Sequence, residues 1–205
     1  MSAITIPAVK EPQTVEGVIE PIRHRWSPRS FLDKPVPTDV LRTLLEAARW
    51  AASSFNEQPW RFLVATKDNP ADFEKLLSVL MPKNQEWAKG APVLMLIVAR
   101  KHFTHNNTPN RFAIHDAGAA LATLAIQAAG MGLQAHGMAG YDPDKARTVL
   151  KIPHDFDPAA AAALGYPGPV DGAPEAFRAA EAAARTRRTL AETAFSATFG
   201  EPLAL

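Results

Sequence analysis

Residues 113–130, Ala-Ile-His-Asp-Ala-Gly-Ala-Ala-Leu-Ala-Thr-Leu-Ala-Ile-Gln-Ala-Ala-Gly, are the strongest constraint in the chain. They predict a helix that is apolar nearly all round, and such a helix has to be buried in a core or an interface. Gly118, Ala119, Ala122, Ala125 and Ala129 let its backbone approach a neighbour closely, which suits the central helix of a dimer. The rest of the fold therefore has to be built around this rod.

The remaining pattern supplies short strands and amphipathic helices. Thr38 to Trp50 predicts a helix with Val40, Leu41, Leu44, Leu45 and Ala48 on one face. A strand is expected over Trp60–Ala65, and a helix over Pro70–Leu80 capped by Asn69. Met81–Gln85 reads as a loop. Pro92–Ala99 reads as a strand buried on both faces. After the central helix come a strand over Leu133–Met138, a helix opened by Asp142-Pro143, a strand over Ala159–Leu164 and a helix over Glu175–Arg185. Residues 1–15 read as a flexible arm, Val15–Ile22 as a short helix, and 16–205 as one domain. Its last stretch, about 189–205, is too apolar to float free and is expected to pack on a partner subunit. Helices alternating with short strands imply an α+β fold, an α/β sandwich around a small central sheet.

Composition removes several functions. With 205 residues, 47% hydrophobic content and a net charge of +1, the chain can build a proper core but has no field for nucleic acid or anionic lipid. It has no cysteine, so disulfides, thiolate catalysis and thiolate-bound metals are excluded. The first residues lack a signal-peptide pattern, and the apolar run Ala91–Ala99 is too short to span a bilayer. The expectation is a cytoplasmic protein with no membrane partner. No H-E-x-x-H, G-x-S-x-G or P-loop pattern occurs, and no metal site is expected. Gly130-Met131-Gly132-Leu133-Gln134-Ala135 formally matches a dinucleotide fingerprint, but its glycines close a helix and open a strand, the reverse of what that fingerprint requires. His115-Asp116 reads as helix-start chemistry rather than a catalytic dyad.

One polar loop stands between two core elements. Ala51-Ala52-Ser53-Ser54-Phe55-Asn56-Glu57-Gln58-Pro59-Trp60 follows the first long helix, and Gln58 before proline must leave the helical region. This loop resembles the Pro-Ser-Ser-x-Asn-x-Gln-Pro-Trp signature of the nitroreductase family, with Ala52 in place of the usual proline. Arg25-x-Ser27-x-Arg29 resembles that family's Arg-x-Ser-x-Lys/Arg element, Ala139-Gly140 its turn after the strand, and Arg185-x-Arg187 its C-terminal Lys/Arg-x-Arg. The elements occur in family order from about Ile19 to Leu203.

The resemblance implies a nitroreductase-like fold with a mostly antiparallel sheet flanked by helices, in an intertwined homodimer with FMN at the subunit interface. It assigns Arg25, Arg185 and Arg187 to the FMN phosphate and Ser27 to the ribityl chain. Arg29 falls at the flavin N1/O2 edge, where a fixed cation raises the reduction potential. Asn84 is expected at the pyrimidine ring, and the Ala139 and Gly140 amides at N5 and O4. Trp26, where the family usually has arginine or histidine, keeps at most a main-chain contact. Ala52, Ser53, Ser54 and Asn56 would meet the flavin of the other subunit. The activity implied is ping-pong hydride transfer from NADPH or NADH to an electron-poor acceptor, a nitroaromatic or a quinone, with no side-chain acid or base. Flavin storage or sensing without turnover, and another flavin reaction such as dehalogenation or enal reduction, stay open.

Overall fold

The computed structural model describes residues 7–204. Four strands, β1 (Trp60–Thr66), β2 (Val93–Arg100), β3 (Gln134–Met138) and β4 (Phe156–Gly165), form one sheet in the order β1-β2-β4-β3. Every pairing is antiparallel. Among the described residues, seven α-helices surround the sheet: α1 (Glu20–His24), α2 (Thr38–Arg49), α3 (Pro70–Ser78), α4 (Pro82–Ala88), α5 (Ala113–Gly130), α6 (Pro143–Val149) and α7 (Glu175–Ala182).

Alternation along β2 sorts the two layers. Its side chains point to opposite faces in turn. Leu94, Leu96 and Val98 join a cluster with Phe73, Leu76, Trp87, Ala146 and Phe177, drawn from α3, α4, α6 and α7. Val93, Met95, Ile97 and Ala99 join Leu44 and Ala48 of α2 and Ala117, Ala120, Leu124 and Ala128 of α5. Covering both faces explains why β2 reads as an unbroken apolar run, as the sequence leads one to expect. The α5 rod lies where expected, over Ala113–Gly130, with its small residues against α1, α2 and β3.

Several boundaries differ from the sequence expectation; α3 ends at Ser78 rather than Leu80, and α7 at Ala182 rather than Arg185. Met81–Gln85 is not a loop: α4 starts at Pro82, the position where proline costs no hydrogen bond, and it buries Trp87 and Ala88. Strand β4 begins at Phe156 rather than Ala159. Its Pro158 is accommodated by a register shift between Ile97 and Val98 of β2, where a missing N–H breaks no ladder bond. The short N-terminal helix lies at Glu20–His24, with Pro21 in its first turn. The expected arm also departs from looseness within the described residues: Ala8–Lys10 forms a 3₁₀ turn, and the buried Lys10 donates its ammonium to Ala183 O at 2.7 Å. Residues 1–6 of that arm lie outside the described residues. Among the described residues, no helix is long and apolar enough to cross a membrane.

Candidate functional site

Between α1 and the bridge that pairs Phe31 with Pro167, the chain runs without regular structure past the edge strand β3. Its burial nevertheless alternates. His24, Trp26, Pro28 and Ser30 are buried, whereas Arg25 and Arg29 are half-buried and Ser27 is exposed. A period of two places Arg25, Ser27 and Arg29 on one outward row. Arg25 and Ser27 line a cleft of about 380 Å³ floored by Gly118, Leu121 and Ala122 of α5 and by Gly137 of β3. Arg29 continues the row into a second cleft, of about 360 Å³, beside Trp87 and Arg178. The three expected contacts thus share a row but not a single cavity.

An irregular segment must satisfy its backbone groups somewhere, and here side chains from distant elements do it. Arg185 gives its guanidinium to the carbonyls of Arg23 and Arg25, and also to Lys10 O at 2.7 Å. Gln134 donates to His24 O and accepts from Trp26 N–H, both at 3.0 Å. His136 Nδ1 meets Pro28 O at 2.9 Å, and Arg29 N–H donates to Glu181 Oε1 at 2.8 Å. Arg185 uses three of its five N–H donors to hold the backbone beneath Arg25. Trp26 is 6% exposed and its N–H is already used, so no main-chain donor is left there for a cofactor.

The electrostatics of this row favour an anion. Arg25, Arg29, Arg185 and Arg187 make no ion pair among the described residues. Burial lowers the Arg25 guanidinium below its ordinary value, and Arg187 lowers it further. Burial does the same to Arg185, followed by the charges of Arg25 and Arg187, against a smaller opposing pull from Glu11. Arg25 thus lies among other cations without an ion-pair partner, an arrangement that can accept an anion.

Beyond β3 the chain turns through Ala139 and Gly140. Gly140 O accepts from Met81 N–H and from Asn84 Nδ2, both at 3.0 Å, so the turn is pinned to α4. No protein acceptor among the described residues takes the Ala139 or Gly140 N–H. A Cβ at Gly140 would come within 2.5 Å of Asn84 Nδ2, so a side chain there would push the Asn84 amide off its bond to Gly140 O. The pairing of Asn84 with Gly140, 56 residues apart, brings together two positions that the sequence treats separately.

The Ala52–Asn56 loop is held by a different device. Ser54 N–H donates to Asp116 Oδ2 at 3.0 Å, and Gln58 N–H donates to Ser53 Oγ at 2.9 Å. Phe55, Asn56 and Gln58 all have positive φ, 53°, 53° and 50°, in a stretch without glycine. Three such residues are costly and persist only where the surroundings fix them. Asp116 is 3% exposed and does that fixing. It sits in the first turn of α5 as expected, but its carboxylate serves the loop and also meets His115 Nδ1 at 3.0 Å. Ala52, Ser53, Ser54 and Asn56 do not line the Arg25 cleft. At the C-terminus, Thr189 and Glu192 form a capping box and Phe195 pairs with Pro202, leaving Leu190 58% and Phe199 92% exposed.

Sequence reasoning passed over Gln134, His136, Asp116 and Glu181 as parts of the site. A signal existed for the first two. They are the polar residues in an otherwise apolar strand, and a buried polar side chain needs partners.

Comparison with known proteins agrees with this fold. A sequence profile described as the Nitroreductase family matches residues 22–166. An NADH dehydrogenase of Thermus thermophilus is 31% identical over 174 residues, covering 70% of this chain and 83% of the relative. Among solved structures, an oxidoreductase containing FMN superposes with a TM-score of 0.88 at 37% identity, covering 94% of this chain and 98% of that one. A putative nitroreductase in complex with FMN from Desulfovibrio desulfuricans superposes with a TM-score of 0.69 at 28% identity, covering 91% and 99%.

Proposed function

The chain belongs to the Nitroreductase family, and from that premise we propose that it is an FMN-dependent oxidoreductase, working as a homodimer with NADPH or NADH as electron donor. The observation that carries this reading is the unpaired cationic row, Arg25 with Arg187 beside it, next to a strand whose following turn offers two N–H groups with no protein acceptor among the described residues. In this reading Arg25 and Arg187 grip the phosphate of FMN and Ser27 takes a ribityl oxygen. Paired N–H donors make arginine well suited to phosphate. Arg185 holds the segment from behind.

FMN, when bound, would supply the redox chemistry between the nicotinamide donor and an electron-poor acceptor such as a nitroaromatic or a quinone. The protein's own groups bind and tune. Arg29 faces the N1/O2 edge and favours negative charge there. Asn84 meets the pyrimidine ring while holding Gly140 O, which aims the Ala139 and Gly140 amides at N5 and O4. In this reading no side-chain acid is needed, because the flavin is the redox agent and water can deliver the protons.

The homodimer reading is supported by what one chain leaves uncovered. Ile19, Ile22, Phe112 and Ile114 are exposed around α5, and the tail presents Leu190 and Phe199. A second copy covering these would set Ala52, Ser53, Ser54 and Asn56 against the flavin held by its partner. Each site would then be built from two chains, with residues 189–204 packed across the interface.

Steady-state rates distinguish an enzyme from a flavin store. With NADPH varied at several fixed concentrations of a nitroaromatic or a quinone, double-reciprocal plots should be parallel, as donor and acceptor use the site in turn. Absence of turnover with both donors and both acceptor types would favour storage.

A further inference from the structure

Gln134 opens β3 and is 1% exposed, among the most completely buried polar side chains in the chain. Its amide makes two bonds, giving Nε2–H to His24 O and taking Trp26 N–H on Oε1, both at 3.0 Å. These are the carbonyl before Arg25 and the amide after it. A neighbouring strand residue would offer the same donor and acceptor with its backbone, so Gln134 pairs the irregular segment to the sheet edge as a peptide group would. A hydrocarbon side chain can supply neither bond, and a carboxylate supplies only the acceptor.

We infer that Gln134 is a positioning residue for anion capture: by bonding both neighbours of Arg25 it holds that guanidinium at the cleft before any ligand arrives. This rests on the FMN reading above and deepens it. The guanidinium makes no hydrogen bond of its own to the protein among the described residues, so its location depends on its backbone. Arg185 holds the carbonyls of Arg23 and Arg25, and Gln134 holds His24 O and Trp26 N–H, which leaves the segment gripped from two sides. His136, two residues along the same strand, repeats the device at Pro28 O. Ordering the grip in the free protein removes an entropy cost from binding. That gain falls on the part of the ligand that Arg25 touches, the phosphate.

The phosphate specificity provides the test. Flavin-free protein is titrated with FMN and with riboflavin, which lacks the phosphate, for the wild type, Gln134→Met and Gln134→Glu. Methionine keeps the length and loses both bonds, and glutamate keeps the bond to Trp26 N–H. FMN dissociation constants should rise on the order of tenfold in Gln134→Met, and also rise in Gln134→Glu, while riboflavin values stay within about twofold. Should the methionine variant fail to fold, the glutamate variant carries the same comparison. Unchanged FMN affinity would overturn the role of Gln134, as would an equal loss for both flavins, the mark of a purely structural residue. A wild type that binds neither flavin would contradict the FMN reading itself, and the role of Gln134 with it.

Discussion

Arg25→Ala is expected to release FMN from the protein while leaving the fold intact. The guanidinium is half-buried, unpaired and lowered in pKa by burial and by Arg187, so nothing in the protein depends on its charge. Against a phosphate it would make charge-assisted bonds, each contributing about 1.5–3 kcal/mol, and losing one weakens binding by roughly tenfold to a hundredfold. Removing an unopposed cation also relieves repulsion with Arg185 and Arg187. The flavin-free variant should therefore melt no lower than flavin-free wild type. Absorbance gives flavin per chain, and calorimetry gives the melting temperature. Full flavin retention would remove Arg25 from the phosphate site.

Acid should destabilise the protein through His136. Its ring is stacked on Trp87 at a centroid distance of 4.4 Å and is 8% exposed. The Pro28 carbonyl can only accept, so Nδ1 carries a hydrogen, and in the neutral ring the lone pair then sits on Nε2. Burial pushes the pKa from the usual 6.5 down to about 4, against the raising effect of the Pro28 bond, with Arg29 and Arg25 lowering it further. An unfolded chain takes up this proton near pH 6.5 and the folded one only near pH 4. Stability from the neutral ring is thus complete above about pH 6.5 and is lost as pH falls toward 4, in total on the order of 3 kcal/mol. In His136→Gln, which keeps an amide donor but does not titrate, denaturation midpoints should fall less between those pH values. A parallel decline in wild type and variant would contradict the assignment.

Much of the fold was legible because it is written in period and punctuation. The α5 rod is apolar all round, β2 is apolar without a break, and Asp142-Pro143 and Asn69-Pro70 mark helix starts with side-chain caps. The loss of α4 has a local cause, since Met81-Pro82 and Asn84-Gln85 look like turn chemistry while Trp87 and Ala88 find their partners only in the folded core. The site divides in the same way. Arg25, Ser27, Asn84 and Gly140 stand in recognisable motifs, so they could be named from the chain. The groups that hold them could not, because Gln134 and His136 act across 108 to 110 residues and Glu181 across 152. Arg185 could be named, but only the structure shows its guanidinium beneath the backbone of Arg25.

We propose that this row of arginines holds FMN for turnover by a nicotinamide donor. The visible spectrum of the purified protein, recorded before and after anaerobic NADPH and then NADH, tests it most directly. Flavin bands that bleach within seconds with at least one donor are the predicted result. A colourless protein that takes up no added FMN, or flavin bands that survive both donors, would contradict it.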